Sequence, residues 1–199
     1  IDGSPTQQPT QKAIDLALGQ SGFLNITITS GAVQKSQPEL RVDLSSIAKG
    51  FAVDRIVTDL RSLGIKSALI DIGGEMYALG PKSNGKPWAV AISDPRKPTQ
   101  NAAIGSPVSL TNRALASSGD YRNYVELDGT RYPHIINPKT GYPIKTHIRA
   151  TSVVAATAAV ADGLATTLML MPIQDGLALI NTLPGVEALI VYQEDNQLR

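Results

Sequence analysis

The sequence predicts an α+β fold in which mixed or antiparallel sheets pack against helices. Three observations carry this expectation. Short stretches alternate apolar and polar residues with period two, as half-buried strands do. Other stretches repeat apolar residues with the helical period. The two kinds follow one another without strict alternation, which argues for α+β layers. At 199 residues and 42% hydrophobic side chains, the chain can bury one large core or two small ones.

The elements follow in order. After a polar, Pro-rich lead, Thr10 suits the N-cap of a helix whose Ile14, Ala17 and Leu18 share a face, with Gly22 beyond its end. "FLNITIT" alternates Leu24, Ile26 and Ile28 as a strand, and "ELRVDL" alternates Leu40, Val42 and Leu44 in the same way. Ile47, Phe51, Ile56, Leu60 and Leu63 form a helical stripe that Gly64 stops. "KSALIDIGGEMYALG" reads as strand, Gly73-Gly74 break, strand, and "PWAVAI" as another strand. Residues 93–107, rich in Pro, Asn and Ser, read as a loop. "YVELDGTRYPHII" is a hairpin signal with Asp128-Gly129 at its turn, and "NPKTGYP" is a second turn. Val153–Ala155 finishes a strand before an Ala-rich helix around Asp162. "IQDGLALINTL" is an amphipathic helix and "EALIVY" a closing strand.

Composition excludes several functions. The 18 Lys and Arg nearly balance the 17 Asp and Glu and form no run, so no nucleic-acid surface is indicated. Without cysteine there is no disulfide, thiol catalysis or zinc-thiolate site, and two histidines are too few for a His-rich metal cluster. The chain begins at Ile1, with neither methionine nor signal peptide, as a fragment or a processed form would. Thr151–Met171 is long and apolar, but Asp162 at its centre costs roughly 2.5–3.5 kcal/mol on membrane insertion, so a buried helix is expected.

Five stretches are able to carry chemistry. In "DLSSIAKG" a helix starting near Ser45 or Ser46 would favour an anion at its N-terminus, with Lys49 one turn in, Asp43 as acceptor and Gly50 permitting close approach. The plainer alternative is an N-cap serine, a solvated lysine and a helix glycine. In "ADGLATT", Asp162 and Thr166 stand at i and i+4 and can share one hard cation. The alternative is an Asp paired elsewhere and a Thr bonded to its own helix. Gly119-Asp120 presents a carboxylate at a turn. His134 lies where a strand meets an Asn-Pro turn, either packed or handling protons near neutrality. Ile72–Glu75, "IGGE", offers bare backbone but does not fit the dinucleotide-binding glycine fingerprint.

Taken together and in order, "VDLSSIAKGFAVD", "LIDIGGEMYALG", "WAVAISDP", "ALASSGDYRNY", "RYPHIINPKTGYP" and "ADGLATTLMLM" resemble successive motifs of the FAD:protein FMN transferases, the ApbE family once called thiamine-biosynthesis lipoproteins. The resemblance runs over roughly residues 10–195 and implies one ApbE-like domain over 1–199. The family's long segment before residue 10 has no counterpart here, so the chain looks like the C-terminal two-thirds of such a protein.

The resemblance implies binding of FAD and Mg²⁺, and transfer of the FMN moiety to a Ser or Thr hydroxyl of a target flavoprotein with release of AMP. The alternatives are a FAD pyrophosphatase on the same scaffold and a non-catalytic flavin-binding module. Carried over, Asp43, Lys49 and Ile136 match flavin-nucleotide contacts. Ser46, Asp162 and Thr166 match metal ligands. His134 is the expected proton handler with Asp120 in the same cleft, and Asp162 belongs to the catalytic set. A periplasmic or envelope-facing location, with a lipid anchor on the native N-terminus, is also implied.

Overall fold

The computed structural model describes residues 8–97, 102–120, 124–127, 130–195 and 197–199. The chain divides into two compact units, one of residues 1–43 and 123–145, the other of 44–122 and 146–199.

The larger unit is built on a six-stranded antiparallel sheet. Its strands are β3 (Ala68–Ile72), β4 (Glu75–Leu79), β7 (Arg113–Gly119), β10 (Ile148–Ala155), β11 (Glu187–Glu194) and β12 (Gln197–Leu198), ordered β12-β11-β10-β7-β4-β3. Period-two alternation sorts their side chains onto two faces. Ile70, Tyr77, Leu79, Ala114, Ala116, Val153 and Ala155 meet the helices α2 (Ser45–Ser62), α3 (Ala158–Leu170) and α4 (Ile173–Thr182). Ala78 and Leu115, with Met76 and Val154, turn the other way. There they meet Val90, Ile92 and Leu110 of the hairpin β5 (Trp88–Ser93) and β6 (Ala103–Leu110). The sheet is thus sandwiched between helices and a hairpin.

Several expectations are corrected. Residues 93–107 are not all loop, because β6 pairs Ala103 with Ser93 and Ile104 with Ile92. The register shift between Val90 and Ile92 marks a bulge, opposite which Gly105 takes φ +65° beside Ser106-Pro107. A bulge in a two-stranded edge tolerates the glycine and proline that argued against a strand. The α2 stripe is also different. Gly50, Val53 and Val57 are its buried residues, while Phe51, Ile56 and Leu63 are exposed. Leu60 alone of the expected set packs on the core under the helices. The apolar stretch Thr151–Met171 divides into the end of β10 and the 13-residue α3, and among the described residues no helix is long and apolar enough to cross a membrane.

At the end of β5, Asp94 is almost fully buried and accepts four hydrogen bonds from three donors of Arg96, Nε being shared between both carboxylate oxygens. The backbone N–H donates at 2.9 Å, Nε at 2.9 Å and Nη2 at 2.6 Å. The guanidinium holds this carboxyl at about 2, below its ordinary 3.8. A depressed acid stabilises the fold above its unfolded value and loses that contribution as pH falls through the folded one. The melting temperature should therefore fall between about pH 4 and pH 2, and Asp94→Asn should flatten that slope in a thermal-melt series. An unchanged slope in the variant would remove the pair from acid stability.

The smaller unit holds α1 (Gln11–Gly19), the hairpin β1 (Ile26–Thr29)–β2 (Ala32–Lys35) and the hairpin β8 (Tyr124–Leu127)–β9 (Thr130–Pro133). The Asp128-Gly129 turn lies outside the described residues. Thr10 caps α1 by accepting from Ala13 N at 3.3 Å. Tyr142 Oη donates to Gln11 Oε1 at 2.6 Å, and Gly141 sits so near Ile14 that a Cβ there would be 2.6 Å from its Cγ2.

One strand reading holds only in part in this unit and one fails: of "FLNITIT", Ile26–Thr29 forms β1. Phe23–Asn25 is a 3₁₀ turn, and Leu24 and Ile28 are exposed because their hairpin has only two strands. Among the described residues, 40–44 have no ladder partner. Only Leu40 is buried, and Lys35 Nζ holds its carbonyl at 3.0 Å while Val42 and Leu44 face solvent. Alternation in sequence cannot supply a neighbouring strand.

Candidate active site

The candidate site begins where α2 crosses α3. A Cβ on Gly50 would stand 2.3 Å from the Ala158 carbonyl oxygen and 2.6 Å from its carbon. Glycine is required here by the backbone of α3, a different cause from the ligand approach expected from the sequence. One turn later Asp54 reaches the same helix end, its two carboxylate oxygens accepting from Ala158 N at 2.7 Å and Ala159 N at 2.9 Å. Those N–H groups have no partner within α3. Gly50→Ala should cost about 1–3 kcal/mol or more in urea unfolding, since the clash is with backbone rather than a flexible side chain. Wild-type stability in this variant would show that α2 and α3 do not meet through Gly50.

Asp162 lies on the first turns of α3, 4% exposed, and its Oδ2 accepts from Gly50 N at 3.0 Å. Burial pushes its carboxyl above the usual range, opposed by the Gly50 N–H and the charge of Lys49. In a regular helix the N–H of residue 50 bonds the carbonyl of residue 46. That N–H is directed to Asp162, and Ser46, half-buried, lies one turn earlier on the same side of α2. Thr166 follows Asp162 by one turn, and its Oγ1 is 3.1 Å from Ser118 Oγ. Ser118 extends the row Ala114, Ala116 on the helix-facing side of β7.

Lys49 completes the cluster through a residue that sequence reasoning did not select. Its Nζ lies 2.6 Å from Glu75 Oε2, with the lysine side chain 49% and the glutamate 2% exposed. Burial raises the Glu75 carboxyl, Lys49 lowers it by hydrogen bond and by charge, and Asp162 raises it further by repulsion. A signal for Glu75 was present, because it shares its parity with core-facing Tyr77 and Leu79. The Gly73-Gly74 turn before it has φ +65° and +105°, and Asp71 Oδ1 accepts from Gly74 N at 2.8 Å.

The remaining candidates are placed as follows. Asp120, at the end of β7, pairs with Arg149 Nη1 at 2.8 Å. Asp43, His134 and Ile136 belong to the smaller unit. Asp43 is exposed just before α2, His134 is exposed at a bend after β9, and Ile136 bridges Pro143. Among the described residues, no three His, Cys, Asp or Glu gather as a metal-binding group. A cation at Ser46, Asp162 and Thr166 would have one carboxylate and two neutral oxygens.

Fold and cluster together define a class: an α+β protein whose helix-covered sheet carries an oxygen-rich, partly buried polar cluster with one lysine at its rim. The chain belongs to the ApbE family, whose model matches residues 1–190. It is 41% identical over 171 residues to the FAD:protein FMN transferase of Haemophilus influenzae, covering 84% of this chain and 49% of that protein. To that of Vibrio cholerae it is 37% identical over 194 residues, covering 98% and 58%. The solved flavin transferase ApbE from Vibrio cholerae superposes with a TM-score of 0.84 at 34% identity, covering 98% of this chain and 61% of that one. The apo flavinyl transferase ApbE of Pseudomonas stutzeri gives 0.81 at 36%, covering 96% and 58%. The chain thus spans about half to three-fifths of the length of these relatives.

Proposed function

We propose that this protein transfers the FMN moiety of FAD to a Ser or Thr hydroxyl of a target flavoprotein, in a magnesium-dependent reaction that releases AMP. The observation that carries the reading is Asp162, a buried carboxylate aligned with the Thr166 hydroxyl one turn on and facing the α2 backbone next to Lys49. The names of its relatives supply the substrate.

The donors suit Mg²⁺, which takes oxygen ligands. Asp162, Thr166 and an oxygen of Ser46, one turn before the Gly50 N–H that meets Asp162, would hold it. When bound, the ion neutralises pyrophosphate charge. Lys49 adds a cation at the rim for the same oxygens, and Asp43, Asp120 and Ile136 contact the nucleotide. The acceptor oxygen forms a bond to the FMN phosphorus while that phosphorus loses its bond to the bridging oxygen, which leaves with AMP. His134 takes the acceptor's proton. Such transfer rests chiefly on positioning and charge neutralisation.

Incubation with FAD, MgCl₂ and a candidate acceptor, followed by mass spectrometry, tests the reading. Acceptor carrying one FMN, with equimolar AMP, is expected. FMN and AMP in equal yield with or without acceptor would make the protein a pyrophosphatase instead, and no turnover of FAD would overturn both. We further propose an envelope-facing location with a lipid anchor, which cell fractionation and globomycin sensitivity would check.

A further inference from the structure

Glu75 has no part in the function just described, yet it is among the most buried charged groups in the chain at 2% exposed. An ionised carboxylate taken out of water needs a strong compensating interaction. It pairs with Lys49 Nζ at 2.6 Å, a lysine still half in solvent. A surface lysine ordinarily samples many rotamers, so a pair with one buried member fixes the mobile one. The backbone around Glu75 is equally set. It opens β4 directly after two glycines in left-handed conformation, and Gly73 lies close enough that a Cβ would stand 3.8 Å from Glu75 Oε2 and 3.9 Å from Lys49 Cδ. A methyl at residue 73 would only touch both partners, and it is the positive φ that calls for glycine there. Lys49 in turn precedes Gly50, whose N–H meets Asp162. The ammonium is therefore anchored on one side by the sheet and carried on the other by the helix that reaches the buried aspartate.

We infer that Glu75 is a positioning residue: its buried carboxylate holds the Lys49 ammonium in an ion pair and so keeps that charge directed at the pyrophosphate of the dinucleotide. The inference rests on the proposed reaction. Electrostatics gives it a distinctive signature. Glu75 is itself negative, so toward a polyanionic substrate its charge opposes binding. Neutralising it should leave FAD affinity unchanged or improved, while a lysine released from its anchor no longer meets the charge that develops on the leaving oxygen. Affinity and rate should move apart, which loss of folding would not produce.

The test compares Glu75→Gln, Lys49→Met and the double variant in the intact protein. FAD affinity is measured by calorimetry, FMN transfer as kcat and KM, and folding by melting temperature. Glu75→Gln is expected to lower kcat about 10- to 100-fold with FAD Kd within about threefold of wild type or tighter, in the range of one preorganised electrostatic contact. In the Lys49→Met background it should have no further effect on kcat. Glu75→Asp, charged but one methylene shorter, should recover part of the rate. An unchanged kcat in Glu75→Gln, or an equal loss in both backgrounds, overturns the inference. If Lys49→Met also transfers FMN at the wild-type rate, it is the assignment of Lys49 to the reaction that fails. If Glu75→Gln melts too low to assay, the double variant replaces it, since it removes both charges. A double variant slower than Lys49→Met alone then counts against the role.

Discussion

Asp162→Ala should reduce magnesium-dependent turnover of FAD by at least about 10²- to 10³-fold, the loss associated with a preorganised charge at a transferring group. The same change should leave the fold intact or more stable. Burial raises the Asp162 carboxyl, and a raised acid opposes folding once pH exceeds its unfolded value. Its protonation as pH falls through the folded value relieves that opposition, so the stability gap between variant and wild type should widen as pH rises. Removing the carboxylate takes the side-chain acceptor from the buried Gly50 N–H, at a cost of about 1–3 kcal/mol. Asp162→Asn keeps an acceptor for that N–H and removes only the charge. Both variants should lose the shift in melting temperature that MgCl₂ alone produces in wild type. A variant that melts like wild type, still responds to MgCl₂ and turns FAD over normally would dismiss the metal assignment.

Much of this cluster was visible in the sequence, and the limits of that view are physical. Asp162 and Thr166 were found because a carboxylate and a hydroxyl at helical spacing stand out in an apolar segment. Lys49 and Gly50 were found because helix starts favour anions, though the structure gives Gly50 a different task. Its missing Cβ admits the end of α3, and the ligand-like partner is Asp162. Glu75 was passed over because charge at a strand start looks like a solvated edge. Only the parity of Tyr77 and Leu79 tells which face it takes.

The same cause explains the errors in the fold. Large apolar residues advertise a buried stripe, but α2 buries a glycine and two valines because α3 approaches closely there. Phe51, the largest residue of the expected stripe, is left at 64% exposure. Conversely, Leu40, Val42 and Leu44 show ideal alternation and make no strand. A strand is a property of two segments, and periodicity reports on one.

His134→Asn should lower FMN transfer by about 10²- to 10⁴-fold, the range for a positioned general acid or base. His134 is exposed at the bend that follows β9, two residues before the Ile136–Pro143 bridge. Exposure means that folding has little to lose from the change, since no buried apolar contact is removed. Asparagine keeps comparable size and hydrogen-bonding capacity but cannot cycle a proton near neutral pH. FAD affinity by calorimetry and melting temperature should therefore stay close to wild type while transfer to the acceptor collapses. The contrast with Asp162→Ala is in the metal response. His134→Asn should retain the MgCl₂-dependent rise in melting temperature, because no residue of the Ser46, Asp162 and Thr166 set is altered. Normal transfer in the variant would take His134 out of the mechanism. Asp120, whose carboxylate Arg149 orients at 2.8 Å, would then be the next base to replace.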